Sequence, residues 1–242
     1  MKNFVSLLFM LLLLTAPCYG TTLSEQLPAS LGAVSLVVPS TVNPGVLYAG
    51  SQAGFFVSVD QGRNWEKRAD GNHQYLIVSD SLPEVIISAA DGRAFRISED
   101  GGTHWKEYLL MASIYAAEAS VTGCFEPGSS NQFYIATDQR ILSVTKSDDG
   151  WNNPVAICVT NQQPISKMFM DEINLNRLHI LSPTDGWFVL QHDAGVWTNI
   201  GSPVTTPTFE TFGTVSYDAA RENVYVSLNN NEIHHLNIPS QQ

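Results

Sequence analysis

The sequence predicts an all-β protein built from repeated units of four antiparallel strands, for three reasons. Short runs of β-branched and aromatic residues alternate with turns rich in Gly, Pro, Asn and Asp. One turn–strand–turn–strand pattern returns five times along the chain, and no long amphipathic helix pattern interrupts it. The period of about 40 to 50 residues is that of β-propeller blades. We therefore expect a single β-propeller with five blades of four strands each.

The copies can be aligned on one anchor residue each. These anchors are Tyr48, Ile87, Tyr134, His179 and Tyr225. They are 39, 47, 45 and 46 residues apart, so five copies account for residues 21–242 as one propeller domain. The fifth copy ends after about three strands. We expect Leu23–Ser30 to supply its missing strand, which would remove an exposed sheet edge.

The innermost strand of each copy is expected shortly before its anchor. These strands are predicted near Ala33–Val38, Tyr75–Ser79, Ile114–Val121, Ser166–Met170 and Thr211–Ser216. The turns between second and third strands are predicted at Ser51–Gly54, Ala90–Arg93, Thr137–Arg140, Thr184–Trp187 and Asn229–Glu232. In an antiparallel blade these turns lie opposite the turns that join the first strand to the second and the third to the fourth.

Residues 1–20 have the layout of a secretory signal peptide. Lys2 precedes an apolar run from Phe4 to Leu14, and Gly20 marks the expected cleavage site. The run is shorter than the roughly 20 residues of a membrane span, and no other segment comes close, so no transmembrane segment is expected. We expect export to the periplasm or the extracellular space.

The three cysteines allow two statements about chemistry. Cys18 is not expected to carry a lipid anchor, because Pro17 directly before it makes a poor lipoprotein motif. Cys124 and Cys158 remain after cleavage and can pair in an oxidising compartment; two buried thiols are the alternative, since inner and outer strands lie apart. Neither has the Cys or His neighbours of a zinc site, and no metal site is predicted.

The charge balance excludes two classes of partner. The chain has 12 Lys and Arg against 23 Asp and Glu, a net charge of −11. Nucleic acids and anionic membranes need clustered basic residues, so neither is expected as a partner. There is no phosphate-binding glycine loop and no nucleophile elbow, and no cofactor is expected.

Two stretches, Ser58–Trp65 and Ser98–Trp105, share the pattern Ser-x-Asp-x-Gly-x-x-Trp. The pattern residues are Ser58, Asp60, Gly62 and Trp65 in the first and Ser98, Asp100, Gly102 and Trp105 in the second. The aspartate can accept backbone N–H bonds, the glycine permits positive φ, and the tryptophan covers the turn. These chemical roles predict a stabilised, structural hairpin turn.

On these residues the chain resembles the Asp-box, or BNR-repeat, propellers. That superfamily includes sialidases, glucan-cleaving enzymes, sortilin-like receptors and photosystem assembly factors, and the last two are the most similar in kind. Decayed boxes follow at Ser147–Trp151 and Asp193–Trp197. The resemblance implies that the box joins the third and fourth strands, and that function lies on the opposite face. A sialidase is not expected, because Ser98 replaces the proline of the Phe-Arg-Ile-Pro motif and no three arginines can clamp a carboxylate.

The binding candidates lie at or beside the turns between second and third strands. They are Asp91, Asp138, Asp185, Trp187 and Glu232. The acids can converge on a cation or on a positively charged partner, and ordinary Asp-Gly turn chemistry is the alternative. Trp187 can stack on a sugar or a partner side chain, or it can be a packing residue.

An enzyme remains as the alternative function. Five-bladed glycosidases use paired carboxylates on inner strands, and the candidates for such a pair are Glu118, Asp171 and Glu210. Glu118 lies among small residues, whereas Asp171 and Glu210 fall at predicted strand ends, where acids are usually solvated. Our main expectation is a non-catalytic platform that binds a protein or glycan partner.

Overall fold

The computed structural model describes residues 31–82, 84–89, 94–109, 122–137, 140–159, 165–171, 174–182, 186–201, 212–217, 223–228 and 233–237. Nearly every regular element in these ranges is a β-strand, and the strands form five antiparallel sheets in chain order. The predicted all-β class with four-stranded antiparallel sheets is therefore confirmed. Among the described residues, no helix has the length and hydropathy for a membrane crossing.

The sheets are numbered in the order of the chain. Sheet 1 comprises β1 (Val34–Pro39), β2 (Leu47–Ser51), β3 (Gly54–Ser58) and β4 (Glu66–Asp70). Sheet 2 comprises β5 (Tyr75–Val78), β6 (Ile86–Ala89), β7 (Ala94–Ser98) and β8 (Lys106–Leu109). Sheet 3 comprises β9 (Thr122–Phe125), β10 (Gln132–Ala136), β11 (Arg140–Ser147), β12 (Gly150–Trp151) and β13 (Val155–Val159). Sheet 4 comprises β14 (Lys167–Met170), β15 (Arg177–Ser182), β16 (Gly186–Asp193) and β17 (Val196–Gly201). Sheet 5 comprises β18 (Phe212–Tyr217), β19 (Asn223–Leu228) and β20 (Ile233–Asn237).

Burial explains why the middle strands carry the clearest repeat in the sequence. In sheet 1, β2 and β3 are buried along almost their whole length, whereas β4 is largely exposed. A strand that is covered on both faces reads as a continuous apolar run and does not alternate. The run Gly54–Ser58 and the charged run Glu66–Asp70 show this difference within one sheet.

The hydrophobic core lies between successive sheets. The inner strands contact one another in the order β1, β5, β9, β14. Tyr48 and Phe55 of sheet 1 pack with Leu76 and Ile86 of sheet 2. Similar clusters join sheet 2 to sheet 3 around Phe133, and sheet 3 to sheet 4. Sheets stacked face to face around their inner strands are the arrangement of propeller blades.

Four of the five predicted inner strands coincide with the first strand of a sheet, and the third does not. The first strand of sheet 3 is β9, Thr122–Phe125, and the predicted segment 114–121 lies outside the described residues. Gly123 explains why sequence reasoning missed β9. A Cβ at this position would lie 2.5 Å from the carbonyl oxygen of Tyr134, so close packing requires glycine in a strand that then lacks a β-forming signature. The predicted closing strand, Leu23–Ser30, also lies outside the described residues and stays a prediction.

Cys124 and Cys158 are not joined by a disulfide in the structure. Cys124 lies on β9 and Cys158 on β13, with β10 and β11 between them. Three strand spacings of about 4.8 Å separate the two side chains by about 14 Å, roughly twice the distance a disulfide spans. Burial raises the pKa of Cys124 to about 12 and also raises the pKa of Cys158. The disulfide alternative is therefore excluded within this fold.

A buried carboxylate joins sheet 1 to sheet 2. Glu84, only 8% exposed, accepts hydrogen bonds from Ser40 Oγ at 2.6 Å, Asn43 Nδ2 at 2.9 Å and Tyr48 Oη at 2.6 Å. Burial, together with the neighbouring Glu84, raises the pKa of Tyr48 well above its usual value. The three hydrogen bonds to this one buried acid therefore link the two sheets.

A buried histidine lies in the same contact. His73 is 1% exposed and packs between Phe55 and Trp105, with ring centroids 5.9 and 5.0 Å away. Its Nδ1 lies 2.8 Å from Ser88 Oγ, while its Nε2 is buried without a hydrogen-bond partner among the described residues. Burial, and to a lesser degree Arg96, lowers the pKa of His73 to about 4.

Candidate functional site

The turn at Ser58–Trp65 joins β3 to β4 and is closed by its own side chains. Ser58 Oγ donates to Asp60 Oδ1 at 2.8 Å, and Gly62 N donates to Ser58 Oγ at 2.8 Å. Asp60 accepts the backbone N–H and the side-chain amide of Asn64 at 2.8 and 2.6 Å. Trp65 Nε1 donates to Gly62 O at 2.9 Å. The bonds from Asn64 and Ser58 lower the pKa of Asp60 to about 2.

The turn at Ser98–Trp105 joins β7 to β8 and repeats this pattern. Asp100 Oδ1 accepts from Ser98 Oγ at 2.9 Å and from the backbone of His104 at 2.9 Å, and Trp105 Nε1 donates to Gly102 O at 2.9 Å. Partial burial opposes ionisation of Asp100, but the bonds from His104 and Ser98 outweigh it and lower the pKa to about 2. Both aspartates are thus occupied in holding their turns.

Both turns lie at one end of their sheets. Gln61 N, in the turn between β3 and β4, donates to Gly45 O, in the turn between β1 and β2, at 2.9 Å. Arg68 Nη1 of sheet 1 donates to Gly101 O in the second box turn at 3.0 Å. This end of the sheets, which we call the box face, is therefore tied together by turn-to-turn and sheet-to-turn bonds.

A concave site lies at the opposite end, where the first residues of the inner strands meet. It is a cavity of about 460 Å³, which we call the central cavity. Its lining includes Ser35, Leu36, Gln74, Tyr75, Thr122, Gly123, Ser166 and Lys167. Val34 pairs with Ser51 and Tyr75 pairs with Ala89, so this end also carries the turns between second and third strands.

The lining of the central cavity is mixed, with polar side chains such as Gln74 and Thr122 beside apolar ones and a single charge. Leu36 is 38% exposed and Tyr75 is 37% exposed, so both offer apolar surface to a ligand. Lys167 is the only charged side chain among the described residues that line the cavity. Its walls therefore suit a ligand with an apolar part, and the described lining holds no pair of carboxylates. Within the described ranges, groups of three or more His, Cys, Asp and Glu side chains placed to hold a metal do not occur.

The sequence led us to expect Asp171 in solvent at the end of a strand. The structure instead buries Asp171 away from the central cavity. It directly follows β14, at the end of sheet 4 that faces away from the cavity, and it is 0% exposed. It accepts hydrogen bonds from the backbone and side chain of Asn174 at 2.9 and 3.0 Å. A fully buried acid in such bonds cannot flank a glycosidic bond in the central cavity.

Trp187 belongs to the same buried network. It is 2% exposed, and its Nε1 donates to His179 Nδ1 at 3.0 Å. Because an indole N–H is a donor only, Nδ1 of His179 carries the lone pair, and Nε2 carries the proton toward Asp171 Oδ2 at 3.5 Å. The ring of His179 also stacks on Phe169 at 4.9 Å. Trp187 therefore packs inside sheet 4 and presents no free face for a sugar.

The remaining predicted site residues lie outside the described residues. These are Asp91, Asp138, Asp185, Glu232, Glu118 and Glu210. Their proposed roles stay predictions. The residues that sequence reasoning missed are Leu36, Tyr75 and Lys167, which lie at the starts of inner strands that are far apart in sequence. The only available signal was their position in the predicted inner strands or directly at their ends.

Comparison with known proteins bears on the fold. No protein-family model matches the sequence. No curated protein matches it either. Among solved structures, the GH74 enzyme of Niastella koreensis is similar with a TM-score of 0.61 and 18% identity, over 83% of this chain and 34% of that chain. The Cps50 (Swd1) β-propeller domain from Myceliophteria thermophila has a TM-score of 0.63 and 12% identity, over 87% of this chain and 66% of that one. YCF48 bound to D1 peptide has a TM-score of 0.55 and 15% identity, over 84% of this chain and 62% of that chain.

These likenesses and the antiparallel sheets, of which sheets 1 to 4 stack through their inner strands, define a β-propeller. The chain spans less than two thirds of the length of each of those three structures. The similar propellers include both an enzyme and a protein solved with a bound peptide, so the fold by itself does not choose between catalysis and binding.

Proposed function

We propose that this chain is an exported, non-catalytic β-propeller of the Asp-box kind that binds a protein partner at the central cavity. The observation that carries the proposal is the cavity lining, in which Leu36 and Tyr75 offer partly exposed apolar surface beside the single charge of Lys167. Aromatic and aliphatic anchors beside a polar rim are what a protein partner's side chain recognises.

The two box turns support the assignment to the Asp-box kind. Their aspartates serve the turns, and their end of the sheets is the one opposite the cavity. The layout of residues 1–20 supports export, since it is that of a signal peptide. Structures similar to this chain include YCF48 with a D1 peptide and a mitotic checkpoint complex, which supports a protein as the kind of partner.

The test is capture of a partner from an exported fraction by the wild type and by two variants matched in chemistry. Tyr75→Lys adds a charge at the cavity, and Val196→Lys adds the same charge on the outer strand β17, where Val196 is 59% exposed. We expect Tyr75→Lys to lose a partner that Val196→Lys retains, because a charge at an apolar anchor typically costs tenfold or more in affinity, on the order of 2 kcal/mol.

Two results would overturn the proposal. One is a partner that both variants capture equally. The other is glycan hydrolysis by the purified protein that Glu118→Gln abolishes, which would favour the glycosidase alternative in its place.

A further inference from the structure

We propose that the central cavity selects a partner segment that carries one carboxylate next to an apolar side chain. This inference rests on the proposed function and deepens it, because it names the chemistry that the cavity recognises in the protein partner. The recognition is made by polar side chains at the starts of the inner strands and by the apolar walls beside them.

The polar side chains of the cavity are hydrogen-bond donors that lack partners. They lie within one residue of the start of an inner strand, and they are Ser35, Gln74, Thr122, Ser166 and Lys167. Within the described part of the chain, none of these five side chains makes a hydrogen bond or an ion pair. All five can donate, and the ammonium group of Lys167 can only donate. Because β1, β5, β9 and β14 are neighbours, these donors converge on one space. A carboxylate, with about four acceptor positions on two oxygens, can satisfy several of them at once.

Lys167 differs from other cations of the protein in having no acid beside it. Lys146 Nζ lies 2.6 Å from Glu99 Oε1, and Arg96 Nε lies 3.0 Å from Glu107 Oε2. Lys167 is exposed, and no acid among the described residues forms an ion pair with it. In a chain with 23 Asp and Glu for 12 Lys and Arg, such a cation remains available to an anion that a ligand brings.

The apolar walls define the other part of the ligand. Leu36 and Tyr75 offer partly exposed surface, and Ile77 and Ile87 also belong to the lining. A volume of about 460 Å³ is that of a small-ligand pocket, so it suits the end or a short loop of a partner and not a folded face. A carboxylate with an aliphatic or aromatic side chain next to it matches both the donors and the walls.

The surrounding charge limits the ligand to a single carboxylate. Lys167 is the one cation of the described lining, and the net charge of −11 repels anions at longer range. The acids predicted in turns at this end, Asp91, Asp138 and Asp185, lie outside the described residues and would add to this repulsion. A basic segment, in turn, would meet no acid in the described lining.

The experiment uses the full mature chain and a library of labelled, acetylated hexapeptides in which two randomised positions follow Gly-Ser-Gly-Ser. The library is made once with free carboxyl termini and once with amide termini, and binding is read by fluorescence polarisation. In the amide set, a carboxylate is present only where Asp or Glu occupies a randomised position. The two sets therefore distinguish a chain terminus from an acidic side chain as the source of the carboxylate.

Three variants test the role of the unpaired lysine. Lys167→Met removes the charge and keeps most of the apolar stem, whereas Lys167→Arg keeps the charge. The matched control is Arg63→Met. Arg63 is exposed in the first box turn at the opposite end, and it too has no ion pair among the described residues. The control therefore loses the same net charge away from the cavity.

We expect the wild type to bind peptides with one carboxylate next to an apolar residue, with dissociation constants of about 1 mM or lower. Lys167→Met should weaken this binding about tenfold, while Lys167→Arg and Arg63→Met stay within about twofold of the wild type. Binding of uncharged or basic peptides as tight as that of the single-carboxylate peptides would overturn the inference. So would tighter binding of peptides with two carboxylates, equal binding by Lys167→Met and Arg63→Met, or no peptide bound by the wild type at about 1 mM.

Capture of the partner separates this inference from the proposed function. If Tyr75→Lys loses a partner that Lys167→Met captures as well as the wild type does, the carboxylate preference is wrong and the cavity remains the binding site. If both variants capture the partner as the wild type does, the proposed function fails as well.

Discussion

His73 titrates inside the contact between sheets 1 and 2, and replacing it should change how the stability of the protein depends on pH. The variant is His73→Gln, which removes the ionisable ring at a position that is 1% exposed. The matched control is His104→Gln, because the side chain of His104 is 87% exposed.

The sign follows from the two pKa values. The pKa of His73 is about 4 in the folded protein, against its usual 6.5. When the pH falls below about 6.5, the unfolded chain binds a proton at this ring and the folded protein does not, so stability decreases until the pH reaches about 4. The loss approaches about 3 kcal/mol at the acid end, of which about 2 kcal/mol falls between pH 7 and pH 5.

The assay is urea unfolding at pH 7 and at pH 5, read as the free energy of unfolding for each variant. We expect the wild type and His104→Gln to lose about 2 kcal/mol more than His73→Gln over this interval. The absolute stability of His73→Gln does not matter, since only the change with pH is compared. An equal loss in all three proteins would refute the burial of a neutral His73.

Three further predictions concern the contacts between sheets and the thiols. Glu84→Ala should lower the free energy of unfolding by about 3 kcal/mol, because it leaves the buried Tyr48 hydroxyl without its acceptor. Glu84→Gln should lower it by less, and equal effects of the two variants in chemical denaturation would contradict the role of Glu84 in linking the sheets. Gly102→Ala should lower the free energy of unfolding by roughly 3 kcal/mol and Gly62→Ala by roughly 1 kcal/mol. Both glycines have positive φ, but only at Gly102 would the added methyl overlap the Phe55 ring. Thermal melts in which Gly62→Ala is the less stable variant would contradict this. A thiol reagent, read by mass spectrometry without reductant, should label Cys124 and Cys158 much faster after unfolding, because both are only partly exposed and burial raises the pKa of both thiols; a pair that stays unlabelled in the unfolded chain would reveal a disulfide.

The sequence predicts those parts of the fold in which the residues of a single strand or turn show a recognisable pattern by themselves. All five anchor residues lie on the second strand of a sheet. In β2 and β10, burial on both faces produces an apolar run that repeats with the blade. Ser58–Trp65 and Ser98–Trp105 are equally local, since every bond that closes them joins residues within eight positions.

The parts that sequence reasoning missed depend on contacts between distant segments. β9 was not predicted, because glycine at position 123 is required by close packing against Tyr134, a contact that the residues of β9 alone do not reveal. Asp171 was expected in solvent, but Asn174 and His179 enclose it. Leu36, Tyr75 and Lys167 form one cavity only because stacked sheets bring the starts of their strands together.

The central claim is that the end opposite the box turns is the binding end. The most direct measurement is site-specific photo-crosslinking in the cells that make the protein, with a photoreactive amino acid replacing Tyr75 at the cavity in one protein and Asn64 in the first box turn in another. The account predicts a crosslinked partner from position 75 and none from position 64. A partner crosslinked at position 64 and not at position 75 would contradict it.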